Sequence, residues 1–110
     1  MTTADQIKDW IEKNLFDAMP MSAAVIDHDF NLVTANRVFV DKFGEWEGKK
    51  CYEVYKHLDS KCPHCKHRTV LEKGETRVFE DISRDKDGKK SCRIRHTVPL
   101  TDENGRTQYL

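Results

Sequence analysis

The side chains best suited to chemistry in this chain are its four cysteines, three of which lie within fifteen consecutive positions. Cys62 and Cys65 are separated by two residues, and Cys51 lies eleven residues upstream of the pair. Two thiolates at this C-x-x-C spacing can bind one metal ion, because the turn between them directs both sulfur atoms to the same side. Three or four such ligands suit zinc or an iron–sulfur cluster. The sequence therefore predicts a metal site formed by Cys51, Cys62 and Cys65. Cys92 is either its fourth ligand or a small buried residue.

The same pair of cysteines has other interpretations. Attachment of haem through C-x-x-C-H is excluded, because Lys66 follows Cys65. The tetrapeptide from Cys62 to Cys65 resembles the active site of a strongly oxidising thioredoxin-like family, which makes a thiol–disulfide oxidoreductase the enzymatic alternative. That chemistry requires a buried parallel strand directly before the first cysteine, and residues 55–61 are too polar to form one. Reduced thiols, a local disulfide and a redox-switched pair are the remaining alternatives.

Other groups that could do chemistry stand in contexts that favour solvated surface. Carboxylate pairs such as Glu45 and Glu47 lie in polar segments, whereas an acid–base pair requires burial. There is no glycine-rich phosphate loop and no recognisable Ser/His/Asp arrangement. Several histidines are back-up nitrogen ligands, although each favours a surface position: His57, His64, His67 and His96.

An amphipathic helix is predicted at the N-terminus, over Ala4 to Ala18. Thr3 and Gln6 form the pattern of a capping box, and Pro20 ends the helix. Its apolar stripe recurs at helical spacing and could pack on its own domain or on a second copy: Ile7, Trp10, Ile11, Leu15 and Met19.

The remaining elements predict an α+β domain with an antiparallel sheet. Two short strands precede a short helix that Asn36 caps and Gly44 ends, and a further helix covers His67 to Lys73. Asp87-Gly88 and Asn104-Gly105 are strong hairpin signals between strand-like runs. The predicted strands are Ser22–Asp27, Leu32–Ala35, Thr76–Ser83, Lys90–Leu100 and Arg106–Leu110.

Composition limits the partners of this domain. The 110 residues are enough for one modest core. The net charge is zero, which argues against nucleic acid or an anionic membrane as the main partner. No apolar run approaches the about 18 residues that span a bilayer, and the N-terminus lacks the pattern of a signal peptide, so we expect a cytoplasmic location. The last predicted strand runs to Leu110 without a closing turn, so we expect the parent protein to continue.

This order of elements and residues resembles the PAS (sensory box) family from about Met21 to Leu110. The resemblance implies a five-stranded antiparallel PAS-like sheet with short helices on one face and a pocket between them. It divides the chain into an N-terminal amphipathic helix at 1–20 and a sensor domain at 21–110. The matching segments are Ala24–Asp27, Leu32–Arg37, Phe43-Gly44, Glu47–Lys49, Asp87-Gly88, Val98–Leu100 and Asp102–Gly105.

Under this resemblance the inward-facing residues are candidates for binding a ligand or cofactor. Cys51, Cys62 and Cys65 fall beside the pocket, and Cys92 would face the core together with Ile94, because alternate residues of a strand share a face. The alternative is that the inward residues pack without a cavity and that His96 is a satisfied core histidine. The candidate contacts are Phe39, Phe43, Tyr55, Leu58, Ile94 and His96.

The sequence therefore predicts a regulatory sensor domain without catalysis of its own. It would bind a small ligand or a metal or redox cofactor and pass the signal to a covalently attached output domain. A histidine kinase of a two-component system, a cyclase or a transcription activator are the candidate outputs. We expect a homodimer formed through the N-terminal helix, with no direct contact to nucleic acid or membrane. The alternatives are a dimerisation module without a ligand and an oxidoreductase acting through Cys62 and Cys65.

Overall fold

The computed structural model describes residues 3–60 and 66–110 of the chain. Its helices are α1 (Ala4–Ala18), α2 (Arg37–Phe43), α3 (Cys51–Lys56) and α4 (Lys66–Lys73). Its strands are β1 (Ala24–Ile26), β2 (Leu32–Ala35), β3 (Arg77–Arg84), β4 (Lys90–Thr97), β5 (Leu100–Thr101) and β6 (Thr107–Tyr109).

Helix α1 has the predicted bounds, and its N-terminus is the predicted capping box. The backbone N–H of Gln6 donates to Thr3 Oγ1 over 3.2 Å, and Gln6 Oε1 accepts from the backbone N–H of Thr3 over 2.8 Å. These bonds satisfy two donors that the first turn of a helix otherwise leaves unpaired. The helix buries none of its residues within this chain. None of the helices in the described ranges is both long and apolar enough to cross a bilayer.

The strands of the described residues form three antiparallel pairs, β1–β2, β3–β4 and β5–β6. The single five-stranded sheet that we expected is therefore not confirmed. The predicted strand from Lys90 to Leu100 is divided into β4 and β5 at Pro99, which has no N–H to donate to a ladder. The β1–β2 and β5–β6 pairs are joined by Ile26 and Leu110, which exchange backbone hydrogen bonds of 2.9 and 2.8 Å.

The hydrophobic core lies between the β1–β2 pair and the short helices α2 and α3. Burial of this apolar surface is the main favourable term in folding. Leu71 of α4 is half-buried and packs against this core. The buried cluster comprises Ile26, Phe30, Leu32, Phe39, Phe43, Cys51 and Val54.

Three hairpin turns have the same construction. Each begins with an aspartate whose carboxylate accepts hydrogen bonds from the backbone N–H groups two and four residues later. Asp27 binds the amides of Asp29 and Asn31, Asp85 those of Asp87 and Lys89, and Asp102 those of Asn104 and Arg106.

These hydrogen bonds favour the ionised form of two of the aspartates. The amide of Lys89, followed by that of Asp87, holds the pKa of the Asp85 carboxyl below its usual value. Burial opposes ionisation of Asp27, but the bonds from Asn31 and Asp29 outweigh it and leave the pKa of Asp27 lowered.

The fourth position of each turn has a left-handed backbone. Gly88 and Gly105 occupy it with φ of 84° and 77°, as expected of glycine. In the first turn Phe30 takes the same position with φ of 65°. Its side chain is only 4% exposed, so packing in the core compensates for a conformation that a side chain disfavours.

Candidate functional site

The β3–β4 hairpin turns a polar face toward α3 and α4. Alternate residues of a strand share a face, and the half-buried or buried set on this hairpin contains a single apolar side chain. Directly opposite pairs on this face include Asp81 with Arg93 and Ser83 with Ser91. We call these seven residues the inner face: Phe79, Asp81, Ser83, Ser91, Arg93, Arg95 and Thr97.

A charged cluster joins the inner face to helix α3. Lys56 Nζ lies 2.5 Å from Asp81 Oδ1 and also donates to the carbonyl oxygen of Ile82. The guanidinium of Arg95 lies 3.4 Å from the other oxygen of Asp81. These side chains are less than a quarter exposed, so their charges are screened by water much less than those of a surface pair. The contact between hairpin and helix is therefore ionic.

Two arginines of the inner face lie over aromatic rings of the core. Arg95 Cζ is 4.0 Å from the centroid of the Tyr55 ring, and Arg93 Cζ is 5.5 Å from that of Phe43. Both distances are within the range of cation–π attraction. The rings of Phe39, Phe43 and Tyr55 also contact one another, with centroids 4.9 to 5.4 Å apart. Burial raises the pKa of the Tyr55 hydroxyl above its usual value.

His67 of α4 completes the polar surroundings of the inner face. Burial and the nearby charge of Arg95 lower its pKa to about 4, so its imidazole is neutral at pH 7. Its Nδ1 lies 3.4 Å from Thr97 Oγ1, and its ring contacts that of Phe79. The sequence favoured a surface position for this histidine, whereas the structure has it half-buried. Its burial follows from the packing of α4 on the hairpin.

Three buried polar atoms of the inner face have no hydrogen-bond partner in the described part of the chain. They are Ser83 Oγ, Ser91 Oγ and Arg93 Nε. An open cleft of about 420 Å³ borders Phe43 but is not lined by the inner face; its walls include Lys49, Glu53 and Lys86. The inner face and the adjoining aromatic rings are thus the best candidate for a site that binds a polar ligand.

The predicted ligand contacts divide into two groups. Phe39, Phe43 and Tyr55 contact one another, and Arg93 and Arg95 lie over the rings of Phe43 and Tyr55; their role as ligand contacts stays a prediction. Leu58, after the end of α3, is exposed. Ile94 and His96 were expected to face inward, but Ile94 is 68% exposed and His96 is exposed too. The expectation therefore chose the wrong face of β4. Arg93 and Arg95, which alternate with Ile94 and His96 along the strand, face inward instead.

The cysteines do not all lie where the sequence suggested. Cys51 is buried at the start of α3. Cys92 is exposed and pairs with Ile82 on the outward side of the hairpin, so its expected orientation toward the core is wrong. Cys62 and Cys65 lie outside the described residues. Within the described residues no three His, Cys, Asp or Glu side chains are grouped to hold a metal ion. The site at Cys51, Cys62 and Cys65 stays a prediction.

The described residues before Cys62 bear on the oxidoreductase alternative. They form α3 and a short loop. A buried parallel strand, which would position a reactive cysteine at a helix N-terminus, does not occur among residues 51–60. Residues 51–60 therefore agree with the expectation that no such strand leads to the cysteine pair.

Asn36 connects the core to the N-terminal helix. Its side chain is fully buried and its Oδ1 accepts from the amides of Ala23 and Phe39, each over 3.0 Å. Its Nδ2 donates to the carbonyl oxygens of Phe16 and Met21 over 3.0 and 2.8 Å. One side chain thus joins the end of α1, the entry to β1 and the N-terminus of α2.

Arg93, Arg95 and Asp81 are the residues of the site that the sequence reasoning missed. A signal for them was present, because Arg93 and Arg95 alternate with Cys92 and Ile94 along one strand. The prediction placed the less polar residues of this strand, Cys92 and Ile94, on the inward face. Only the positions of Lys56 and Tyr55 on α3 show that the charged residues face the domain.

Comparisons with known proteins agree on the fold. The chain is similar to an RNA-binding Light-Oxygen-Voltage receptor at 19% identity and a TM-score of 0.74, over 99% of this chain and 33% of that one. It therefore spans about a third of that receptor's length. It is also similar to the PAS domain of BvgS from Bordetella pertussis, at 17% identity and a TM-score of 0.54, over 93% of this chain and 78% of that one.

No curated protein sequence matches the chain significantly. The sequence model of one family, described as PAS fold, matches residues 16–110. That match covers most of the chain and includes every element after α1. The architecture of short helices on antiparallel strands agrees with it. The chain therefore belongs to the PAS fold family.

Proposed function

We propose that this PAS domain is a regulatory sensor that receives a chemical signal at the inner face and relays it through Asn36 to α1. The observation that carries the proposal is the ionic contact between hairpin and helices, centred on Asp81 and Arg95. Charged groups are costly to bury, and a purely structural contact would be as stable with apolar residues. A ligand that competes for these charges would change how the hairpin packs on α3.

The relay rests on the position of Asn36. It lies at the N-terminus of α2, whose Phe43 lies beneath Arg93 and packs against Phe39. A shift of α2 would therefore change the hydrogen bonds that hold the end of α1 at Phe16. We propose that an output domain is covalently attached, that the domain itself has no catalysis, and that it works in the cytoplasm. A kinase, a cyclase or a transcription activator are the candidate outputs.

Hydrogen exchange measured on the chain of residues 1–110 tests this relay. Arg95→Met keeps much of the side-chain volume but removes the charge near Asp81 and Tyr55. We expect faster exchange in the hairpin and also in residues 16–24 and 36–43. The matched control is Ile94→Gln, the neighbouring residue on the outward side, which should change only its own surroundings. An effect of Arg95→Met confined to β3 and β4 would contradict the relay.

A second candidate function, a dimerisation module without a ligand, is favoured by the exposed stripe of α1. Trp10 and Leu15 are each about half exposed, and contiguous apolar surface of this kind is typical of an interface. We propose that α1 mediates a homodimer in either case. Sedimentation equilibrium distinguishes the wild type from Trp10→Glu, with Glu12→Gln on the polar side as the control. A monomeric wild type would exclude both the dimer and this candidate.

A further inference from the structure

The unpartnered polar atoms of the inner face lie close together. Ser83 and Ser91 are directly opposite in the ladder, so their side chains stand side by side on one face. Arg93 is two residues beyond Ser91 and shares that face. Ser83 is only 1% exposed, and its hydroxyl, that of Ser91 and Nε of Arg93 are without a partner among the described residues. Native proteins pair nearly all such buried groups, so a cluster of three indicates a site for a bound group.

The charge of this cluster is compensated only in part. Asp81 is opposite Arg93 in the ladder, but its two oxygens face Lys56 and Arg95 instead. Arg93 has no ion pair within the described residues, and its guanidinium lies over the Phe43 ring. Asp81 is thus shared by Lys56 and Arg95. The amides of its own turn, which donate to Oδ1 of Asp85, and to a smaller degree the charge of Arg93 lower the pKa of Asp85, but no ion pair joins these two side chains among the described residues.

We propose that Ser83, Ser91 and Arg93 bind a small oxyanion, a carboxylate or phosphate group of a small molecule. This inference rests on the proposed sensor function and names the chemical class of its ligand. Hydroxyls and guanidinium N–H groups donate to anionic oxygens, and such charge-assisted hydrogen bonds are about twice as strong as neutral ones. A planar guanidinium also matches the geometry of both carboxylate and phosphate. The ring of Phe43 beside Arg93 provides an apolar contact for the rest of the molecule.

Thermal unfolding and calorimetric titration of the chain of residues 1–110 test the proposal. The probes are sodium benzoate and sodium phosphate, each compared with sodium chloride at the same ionic strength. We expect one of the two anions to raise Tm above the chloride reference and also to give a saturating calorimetric titration, because phosphate stabilises folded proteins without binding a site. Which of them does so distinguishes a carboxylate from a phosphate ligand. No rise with either would overturn the inference.

Variants locate the binding. Arg93→Gln should weaken the effective anion about 10- to 100-fold, whereas Arg106→Gln, on an exposed turn, should leave the affinity unchanged. Ser83→Ala combined with Ser91→Ala removes buried hydroxyls that lack partners. This double variant should be at least as stable as the wild type without the anion and should respond to it less. A double variant that loses stability and keeps the full response would instead assign the hydroxyls a structural role. That result would overturn the site.

Two further measurements separate this inference from the proposed function. If Arg93→Gln fails to fold, amide chemical shifts of the wild type during the titration take its place. The largest shifts are expected at residues 83, 91 and 93, and largest shifts elsewhere would contradict the site. Benzamide, the uncharged analogue of benzoate, should not raise Tm. An equal effect of benzamide and benzoate would refute the oxyanion class but leave a sensor that binds neutral ligands at the inner face.

Discussion

The side-chain amide of Asn36 donates to the carbonyl oxygen of Phe16 over 3.0 Å, and this is the contact by which the PAS core holds the last turn of α1. A second bond reaches α1 from the next residue, because the backbone N–H of Arg37 donates to the carboxylate of Asp17 over 3.1 Å. The rest of α1 extends from this junction without burying any residue. A change in the direction of α1 would therefore disturb the start of α2.

Asn36→Ala should destabilise the domain by about 2–4 kcal/mol, since it removes the cap of α2 and leaves buried backbone groups without partners. Residues 16–23 should also lose protection from hydrogen exchange. The matched control is Asn14→Ala, where an exposed asparagine donates to the carbonyl of Trp10 within α1. In urea unfolding, Asn14→Ala should lower the free energy of unfolding by less than about 0.5 kcal/mol. Equal losses for the two variants would contradict the role of Asn36 as the junction.

The left-handed backbone at Phe30 can be tested by comparing two truncations. Phe30→Ala removes a buried aromatic side chain and should destabilise the domain by about 3–5 kcal/mol. Phe30→Gly removes the same ring but suits a positive φ, so it should be more stable than the alanine variant by about 1 kcal/mol. At most other positions the glycine variant of a protein is less stable than the alanine variant. Urea unfolding that gives the usual order would be incompatible with a φ of 65° at this position.

The N-terminal helix and the hairpin turns could be predicted from the sequence because their signals are local. A capping box, an apolar stripe and an Asp-x-x-Gly turn each depend on residues within a few positions of one another. Pro99 was also a local signal, for the break between β4 and β5, but the predicted strand included it. Proline lacks the N–H that a continuous ladder needs.

The inner face could not be predicted in the same way, because its orientation depends on residues distant in sequence. On β4, either Arg93 and Arg95 or Cys92 and Ile94 could face inward, and hydrophobicity alone favours the second choice. In the structure Arg93 and Arg95 face inward. On α3, Tyr55 provides the ring beneath Arg95, and Lys56 shares the Asp81 carboxylate with Arg95. The packing of α3 on the hairpin therefore determines which face of β4 points inward.

Stability should depend on the ionisation of His67 in mildly acidic solution. The folded pKa is about 4 and the ordinary value is 6.5, so between these limits the unfolded chain binds a proton that the folded chain does not. Stability is then fully present above pH 6.5 and is lost as the pH falls toward 4, by at most about 1.4 kcal/mol per pH unit. The lowered pKa values of Asp27 and Asp85 reduce stability only at still lower pH, below about 4.

His67→Gln should flatten this dependence between pH 6.5 and 4, because the amide keeps a polar group near Thr97 without titrating. His96→Gln, on the exposed side of the neighbouring strand, is the matched control and should retain the wild-type slope. The measurement is the free energy of unfolding in urea at half-unit pH intervals. A slope that persists in His67→Gln would show that another group is responsible.

The two described cysteines, Cys51 and Cys92, should differ in reactivity because they differ in exposure. Cys92 is exposed on the outward side of β4, whereas Cys51 is 5% exposed at the start of α3. A water-soluble thiol reagent should therefore modify Cys92 faster than Cys51 in the folded domain, when the reaction is followed on the peptide that carries each residue. Under the predicted metal site, zinc or iron in anaerobically purified protein should fall in Cys51→Ser and stay unchanged in Cys92→Ser. A loss of metal in Cys92→Ser would contradict the outward orientation of that side chain, since a ligand must reach the same ion as Cys51 at about 2.3 Å.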